Sequence, residues 1–518
     1  MPPATTGELT PVKEFSRIAA ANNPTRTAFG NGLDGRRLTW PEFEDESVRA
    51  ANGLRAHVGQ GDRVAFLCGQ SLEHAVLFNG ALKAGCVVSN LHTRAAPATV
   101  ESCVDALRPR VLVVDEDTAD FYRERVRGRL SADVGTVVTT GEPEHGERSL
   151  DALTADAGTD PPDVRTGEDD IVAVMWTSGT TGDPKGWCHT NRSLFMRAMG
   201  LSRSLEVDRP TRQPNVFTPS FAAWYSVLLP AMLSGATTFF LEAWDPERYL
   251  RAIDDLSLTT GLLVPTMWRA ILRLDALEDY DTSSLASVTS AGERLDAATL
   301  DGLRDHLCPT VKNMYAATEA IVAVITDAEL DEARVESVGK PVQGVEARVV
   351  DPDGSVDDAV PTGEVGEVVV RAPDAPVWAW GETETAAASF EDGWWRTGDL
   401  GHRDADGFLY LEGRTDLMIL SKGVKVYPGP VEDRLNAHPG VREAAVVGVE
   451  DEEYGERVTA IVDRSDPEVT ADDLDEWCLE SDELARIERP RTYRFVEGPL
   501  PRTASGKLDR LAAKGALD

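Results

Sequence analysis

The chain has 518 residues, 42% of them hydrophobic, and its 88 acidic against 52 basic side chains leave a formal charge of −36. That size supports a large buried core and several domains or subdomains, while the charge repels nucleic acid and anionic membrane surfaces and excludes both as expected partners. The acids are spread along the whole chain among ordinary apolar segments, so they read as a solvated surface suited to a high-salt cytoplasm and not as a disordered tail.

Residues 1–15 have neither a basic stretch nor an apolar core, which argues against secretion. Residues 30–35 match G-x-G-x-x-G literally, yet no apolar strand precedes them and residues 36–40 read as a strand, so a hairpin turn is expected there and not a dinucleotide site. Strand-like runs at 63–67, 110–114 and 134–139 alternate with helical stretches such as 72–84, the rhythm of parallel α/β layers. The apolar run 171–175 suits a buried strand. The most apolar window, 227–241, is broken by Pro230, Ser234 and Gly235 and is too short to span a bilayer, so it reads as core. Strands are expected at 259–265, 287–290 and 312–315, and from 345 to 371 short β segments separated by D-P-D-G and P-T-G turns point to a small β subdomain. Cys68, Cys86, Cys103, Cys188, Cys308 and Cys478 show no C-x-x-C pair or metal spacing and read as reduced, mostly packed thiols in a reducing, cytoplasmic compartment.

Residues 176–186, W-T-S-G-T-T-G-D-P-K-G, carry most of the chemical information. The hydroxyl pairs Thr177/Ser178 and Thr180/Thr181 alternate with Gly179 and Gly182, so the backbone can fold closely round a polyanion and present N–H groups and hydroxyls to it. Pro184 stiffens the exit and Lys185 adds a mobile positive charge. A Walker A loop is excluded, because it needs Gly-Lys-Ser/Thr and here Gly182 is followed by Asp-Pro-Lys. The bland alternative is a surface hairpin rich in Gly and Thr.

This segment resembles the phosphate-binding signature of the acyl-adenylate-forming superfamily: acyl-CoA synthetases, luciferases and the adenylation domains of peptide synthetases. Four further signatures follow in the family's order. M-Y-A-A-T-E-A (314–320) resembles the Thr-Glu motif, G-W-W-R-T-G-D-L-G (393–401) the ribose motif, 413–432 the hinge and following loop, and P-R-T-A-S-G-K-L-D-R (501–510) the C-terminal lysine motif. The match is most like AMP-forming acyl-CoA synthetases. It implies an α/β fold: a large N-terminal domain (1–413) of mixed α/β subdomains plus a β-barrel-like piece, then a small, mobile α+β domain (414–518). In that small domain 439–449 resembles the family's H-P-x-V segment and its strand, and 471–485 has a helical pattern. Nothing resembling a carrier domain follows Arg510.

The implied reaction is attack of a carboxylate on the α-phosphate of ATP, then thioester formation with CoA, releasing AMP and pyrophosphate. Such a step needs charge stabilisation and alignment more than a base, since a carboxylate is already ionised. By resemblance Thr177, Ser178, Gly179, Thr180, Thr181 and Lys185 hold the triphosphate, Glu319 ligates Mg2+, and Thr318 lies beside the α-phosphate, with Tyr315 in the same motif. Asp399 accepts from both ribose hydroxyls, Arg414 reaches the ribose or a phosphate, and Lys507 neutralises charge during attack. Asp416 is the hinge. Gly423 is either the glycine that leaves room for pantetheine or merely a hairpin glycine. The acyl pocket takes Trp224, Thr266, Met267, Ala291, Gly292 and Ala316, mostly apolar or small, which favours a fatty acid, with an aryl acid the alternative.

Some positions depart from the family. Ala316 stands where a glycine is usual and narrows the pocket, Ala222 replaces a common histidine, Leu417 a second acid at the hinge, and Pro430 a glutamate, although Glu432 is kept. Two other readings therefore stay open: a stand-alone enzyme loading a carrier protein, and a non-catalytic nucleotide- or acyl-binding protein. The expected partners are the small-molecule acid, ATP and CoA, with no membrane span, as a monomer or homodimer.

The charge carries a first prediction. Raising KCl from about 0.1 M to above about 1 M shortens the Debye length from about 10 Å to about 3 Å, and relief of self-repulsion is expected to raise the thermal unfolding midpoint by several degrees. A midpoint that is flat or falls with salt would remove the high-salt reading.

Overall fold

The structure is a computed structural model that describes residues 9–178, 184–331, 333–381, 389–422, 424–451, 453–481, 484–502 and 508–515. The chain forms two compact units: Met1–Glu346 with Arg371–Gly393, and Ala347–Val370 with Trp394–Asp518. Among the described residues no helix is long and apolar enough to cross a membrane.

In the first unit an eight-stranded sheet runs in the order Trp378–Ala379, Pro184–Thr190, Ile171–Ser178, Val87–Asn90, Arg63–Leu67, Val111–Val114, Thr136–Thr139, Glu147–Ser149. From Ile171–Ser178 to Glu147–Ser149 every neighbour is parallel, as the alternation of apolar strands and helices implies. The helix Leu72–Lys83 starts where Ser71 accepts from the His74 N–H at 3.0 Å and stops before Gly85, whose φ of +80° only glycine adopts readily. Residues 30–35 form a hairpin turn between the antiparallel strands Thr27–Asn31 and Arg37–Thr39. These two strands join Thr237–Phe240 and Arg212–Asn215 in a four-stranded sheet. Phe29, Trp40, Phe43 and Phe240 interlock in the core beneath it, with ring centroids 4.6–6.0 Å apart. The apolar window 227–241 is core, divided between the helix Ala222–Ser234 and the strand Thr237–Phe240, with Gly235 at φ +78° as the helix cap.

A third set of strands holds Thr260–Leu263, Ser287–Ala291 and Val311–Ala316 in parallel, then turns antiparallel through Ile321–Ile325 and Ser337–Pro341. The strand expected at 259–265 stops at Leu263, because Pro265 opens the helix Pro265–Leu272 as its first residue, where a missing N–H costs nothing.

In the second unit Trp394–Arg403 pairs antiparallel with residues 366–370 and with Leu409–Arg414. A second sheet pairs Val441–Asp451 with Gly455–Arg464, which also pairs with Ile419–Ser421 and, in parallel, with Thr492–Val496. The helices Pro428–Asn436 and Ala471–Leu479 contribute Val431, Leu435, Leu474 and Cys478 to its core. The second helix ends at Leu479, earlier than the pattern 471–485 implies, where Ser481 N–H turns back to the Cys478 carbonyl at 3.3 Å.

All six cysteines are free and buried. Burial pushes the thiols of Cys86, Cys103 and Cys188 up to about 12, so they are inert as nucleophiles.

Gly339 has φ +94°, and a Cβ there would lie 2.2 Å from the Val324 carbonyl group. Gly339→Ala is expected to cost at least about 3 kcal/mol through left-handed strain and overpacking. It should appear as a lower urea midpoint; a cost below about 1 kcal/mol would be incompatible with this packing.

Candidate active site

The strand Ile171–Ser178 runs antiparallel to Pro184–Thr190, in a register that sets Thr177 opposite Lys185 and Ser178 opposite Pro184. A hydroxyl and an ammonium residue thus flank residues 179–183 on adjoining strands. The pair is locked from below. Trp176 donates through Nε1 to Ser89 Oγ at 2.8 Å, and its ring covers Gly186, where a Cβ would lie 3.0 Å from the indole and 2.9 Å from Val174. Gly186 is therefore needed for packing. Gly179, Thr180 and Thr181 lie outside the described residues.

The Thr-Glu motif forms the tip of a hairpin. Val311–Ala316 and Ile321–Ile325 pair with Ala316 opposite Ile321 and a register shift between Tyr315 and Ala316. One internal bond, Ala317 N–H to the Ala320 carbonyl at 2.8 Å, closes the turn. Tyr315 is buried, while Thr318 and Glu319 are half-buried. Beneath the turn lies an ion pair that sequence reading missed. Arg197, on the helix Asn191–Leu205, donates through Nη2 to the carbonyls of Ala317 and Thr318 at 3.0 and 2.9 Å and through Nε to Asp374 at 3.2 Å. Asp374 accepts from the Ile321 N–H at 3.0 Å. Burial pushes the Asp374 carboxyl up, with Arg197 acting against it.

Of the six expected pocket residues, five are brought near one another in the first unit. Ala291 pairs with Met314, and Ala291 and Ala316 pack on the same apolar cluster as Val227, Leu262 and Ile321. Gly292 follows Ala291 with φ +86°. The next residue, Glu293, accepts from Thr266 N–H and Oγ1, both at 3.2 Å, which ties Thr266 and its neighbour Met267 at the start of their helix to this strand end. Trp224 belongs elsewhere: it is fully buried in the larger core against His74, Phe78 and Tyr225. Phe221 caps its helix and Ala222 opens it.

In the second unit Asp399 sits opposite Arg414 on adjoining strands, with Nη1 donating to Oδ1 at 3.0 Å. Arg414 also donates through Nε to Asp416 at 2.9 Å, on the short turn Thr415–Leu417. Gly398, at φ +72°, leaves space for the guanidinium, which would lie 2.9 Å from a Cβ there. Gly423 and Lys507 lie outside the described residues, but the flanks of Lys507 are fixed. Arg502 and Leu508 form an antiparallel bridge, and Asp509 N–H donates to the Pro501 carbonyl at 2.9 Å. Arg510 grips Glu432 through both carboxylate oxygens at 2.8 and 2.5 Å, and Glu432 also accepts from the Val446 N–H. Pro430 lies in the first turn of its helix, where proline is tolerated.

Glu319 offers one carboxylate at a half-buried turn, and no cluster of three metal-ligating side chains occurs among the described residues. That donor set fits a hard cation that takes its remaining oxygens from phosphates and water.

The strand-end Thr177 and Lys185 and the Thr318–Glu319 turn thus lie in the first unit, and the Asp399–Arg414 pair in the second. The family model for AMP-binding enzymes matches residues 16–375 and that for their C-terminal domain residues 430–507. The chain is 33% identical to a feruloyl-CoA synthase of Amycolatopsis sp, over 94% of this chain and 95% of that one. It is 30% identical to the long-chain-fatty-acid–CoA ligase FadD13 of Mycobacterium tuberculosis, over 95% of both chains. Among solved structures, ATP-bound MatB from Rhodopseudomonas palustris aligns over 98% of this chain and 99% of its own with a TM-score of 0.88 at 26% identity. The chain belongs to the AMP-binding enzyme family, and it is most like the AMP-forming acyl-CoA synthetases.

Behind Trp224 lies a buried polar chain. His74 donates through Nε2 to Asn90 Oδ1 at 2.9 Å, and Asn90 donates to the Tyr225 hydroxyl at 2.9 Å. Desolvation lowers His74 to about 4, the Asn90 bond opposing it. The folded pKa lies below the unfolded one, so the stability it contributes is complete above the unfolded value and is lost as pH falls toward about 4. Between about pH 6.5 and 4 the loss should total about 3 kcal/mol, and His74→Gln should flatten that part of the urea-midpoint profile. Equal acid slopes for both proteins would contradict a buried neutral His74.

Proposed function

We propose that the chain activates a carboxylic acid with an apolar acyl part, fatty or aryl, as its adenylate and transfers the acyl group to CoA. The observation that carries the reading is the pairing of Thr177 with Lys185 at the mouth of the phosphate segment, together with the Thr318–Glu319 turn in the same unit. The setting of Ala291 and Ala316 in an apolar cluster supports an uncharged acyl group. The relatives' names divide between an aryl and a fatty acid, and both kinds of acid are included for that reason.

In the first half-reaction a carboxylate oxygen bonds to the α-phosphorus of ATP, the bond to the bridging oxygen breaks, and pyrophosphate leaves. Thr177, Ser178, Gly179, Thr180, Thr181 and Lys185 bind the phosphates, and Thr318 orients the α-phosphate. Glu319 would hold Mg2+, which supplies charge neutralisation on the phosphate oxygens when bound. Asp399 and Arg414 bind the ribose, and Lys507 offsets the charge that builds up during attack. In the second half-reaction the CoA sulfur bonds to the acyl carbon as AMP departs and the thiol proton is lost to solvent. We assign to residues 414–518 the movement, about Asp416, that exchanges Lys507 for the face carrying Gly423.

The test is AMP formation at high salt with Mg-ATP and a panel of aliphatic and aryl acids, with and without CoA. CoA-dependent AMP from one acid class is the expected outcome. Lys507→Ala should lower adenylation by at least about 100-fold yet still convert preformed acyl-AMP and CoA to thioester. Pyrophosphate exchange that ignores CoA would instead point to another acceptor, and equal loss of both half-reactions would remove the role given to Lys507.

A further inference from the structure

The first unit buries one complete ion pair against the Thr-Glu turn. The side chains of Arg197 and Asp374 are 1% and 4% exposed. They are 177 residues apart in sequence and meet only through the fold. Within the turn the backbone bonds Ala317 N–H to the Ala320 carbonyl, and the pair adds bonds to the carbonyls of Ala317 and Thr318 and to the N–H of Ile321. The backbone on both sides of Glu319 is therefore held by these two side chains.

We propose that Arg197 and Asp374 are positioning residues for adenylation, fixing the turn so that Thr318 and Glu319 are in place before ATP binds. This rests on the reading that the chain forms an acyl-adenylate. Two observations separate the role from that of an ordinary buried pair. First, the bonds go to the backbone of the turn that carries Thr318 and Glu319: to Thr318 itself, to Ala317 before it and to Ile321 after it. Second, Arg197 Nη2 is shared between two turn carbonyls, so the guanidinium holds the turn as well as its carboxylate partner. His189, on the strand leading into the helix of Arg197, is kept neutral by burial and by the Arg197 charge. A turn already held in place enters the reaction with little reorganisation, which is how fixed geometry accelerates a displacement.

The test uses the full chain and two variants. Asp374→Asn keeps an acceptor for the Ile321 N–H and removes the charge. The double variant Arg197→Met with Asp374→Leu replaces the pair by apolar groups, which buried pairs often tolerate without unfolding. For each, adenylation kcat should fall by about 100-fold while KM for the acid stays within about twofold, as expected for a loss of alignment without loss of binding. The Mg2+ concentration for half-maximal rate should rise, and backbone amide exchange over 317–321 should quicken in the ligand-free protein. A folded variant with undiminished kcat, or one whose kcat falls while exchange over 317–321 stays as in the parent, overturns the proposal. Should the double variant not fold, Asp374→Asn alone decides. If the parent chain forms no acyl-AMP, the functional reading fails, and the exchange data still decide whether the pair holds the turn.

Discussion

A guanidinium buried in the first unit is the constraint around which its polar interior is organised. Arg197 cannot lose its charge, so the fold must bring acceptors to it. It does so from two distant parts of the chain: the carbonyls of the turn after Val311–Ala316 and the carboxylate of Asp374. The helix Asn191–Leu205, the hairpin at 317–320 and the segment beginning at Arg371 are thereby fixed to one another. His189, on the strand leading into that helix, has to remain neutral beside the same charge.

The strand topology explains where the candidate site residues collect. Thr177 lies at the carboxyl end of Ile171–Ser178, Gly292 just beyond Ser287–Ala291, and Thr318 just beyond Val311–Ala316. Parallel sheets place loops of this kind at the carboxyl ends of their strands, where ligands of open α/β sheets bind. In each of the two sheets the next strand reverses direction: Pro184–Thr190 after the first, Ile321–Ile325 after the third. The first reversal sets Thr177 opposite Lys185 across a ladder, and the second makes the turn that bears Thr318 and Glu319 a short connection held on both sides.

What the sequence disclosed follows the range of the interactions involved. The strand at 63–67 and the helix beginning at Leu72 depend on local apolar runs and on Ser71 as a cap, and both were readable. So was the hairpin at 30–35, since the missing apolar strand before it is a local fact. The strand end at Leu263 was misplaced because a proline that closes a strand and one that opens a helix look alike in sequence. Motif residues such as Asp399 and Arg414 could be named from resemblance, but their register as direct partners could not. Arg197, Asp374 and Glu293 were missed altogether. Nothing near any of them in sequence marks a partner, and a charged residue in an acid-rich chain is ordinarily solvated.

The use of lysine and arginine follows from the same physics. Only nine lysines stand among the 52 basic residues, and four of them, Lys185, Lys422, Lys425 and Lys507, fall within the family motifs. Fixed pairs elsewhere are mostly made by arginine: Arg197 to Asp374, Arg414 to Asp399, Arg510 to Glu432. A planar fork suits a partner that never moves, because little freedom is left to lose once it is docked. A phosphate under attack is a different partner, since its charge and geometry change during the step, and a compact ammonium on a flexible stem can follow it. In a chain carrying −36, every exposed ammonium also attracts carboxylates that would occupy it. Lysine is then best kept where its charge has to move, which is the role we propose for Lys185 at its strand-end position opposite Thr177.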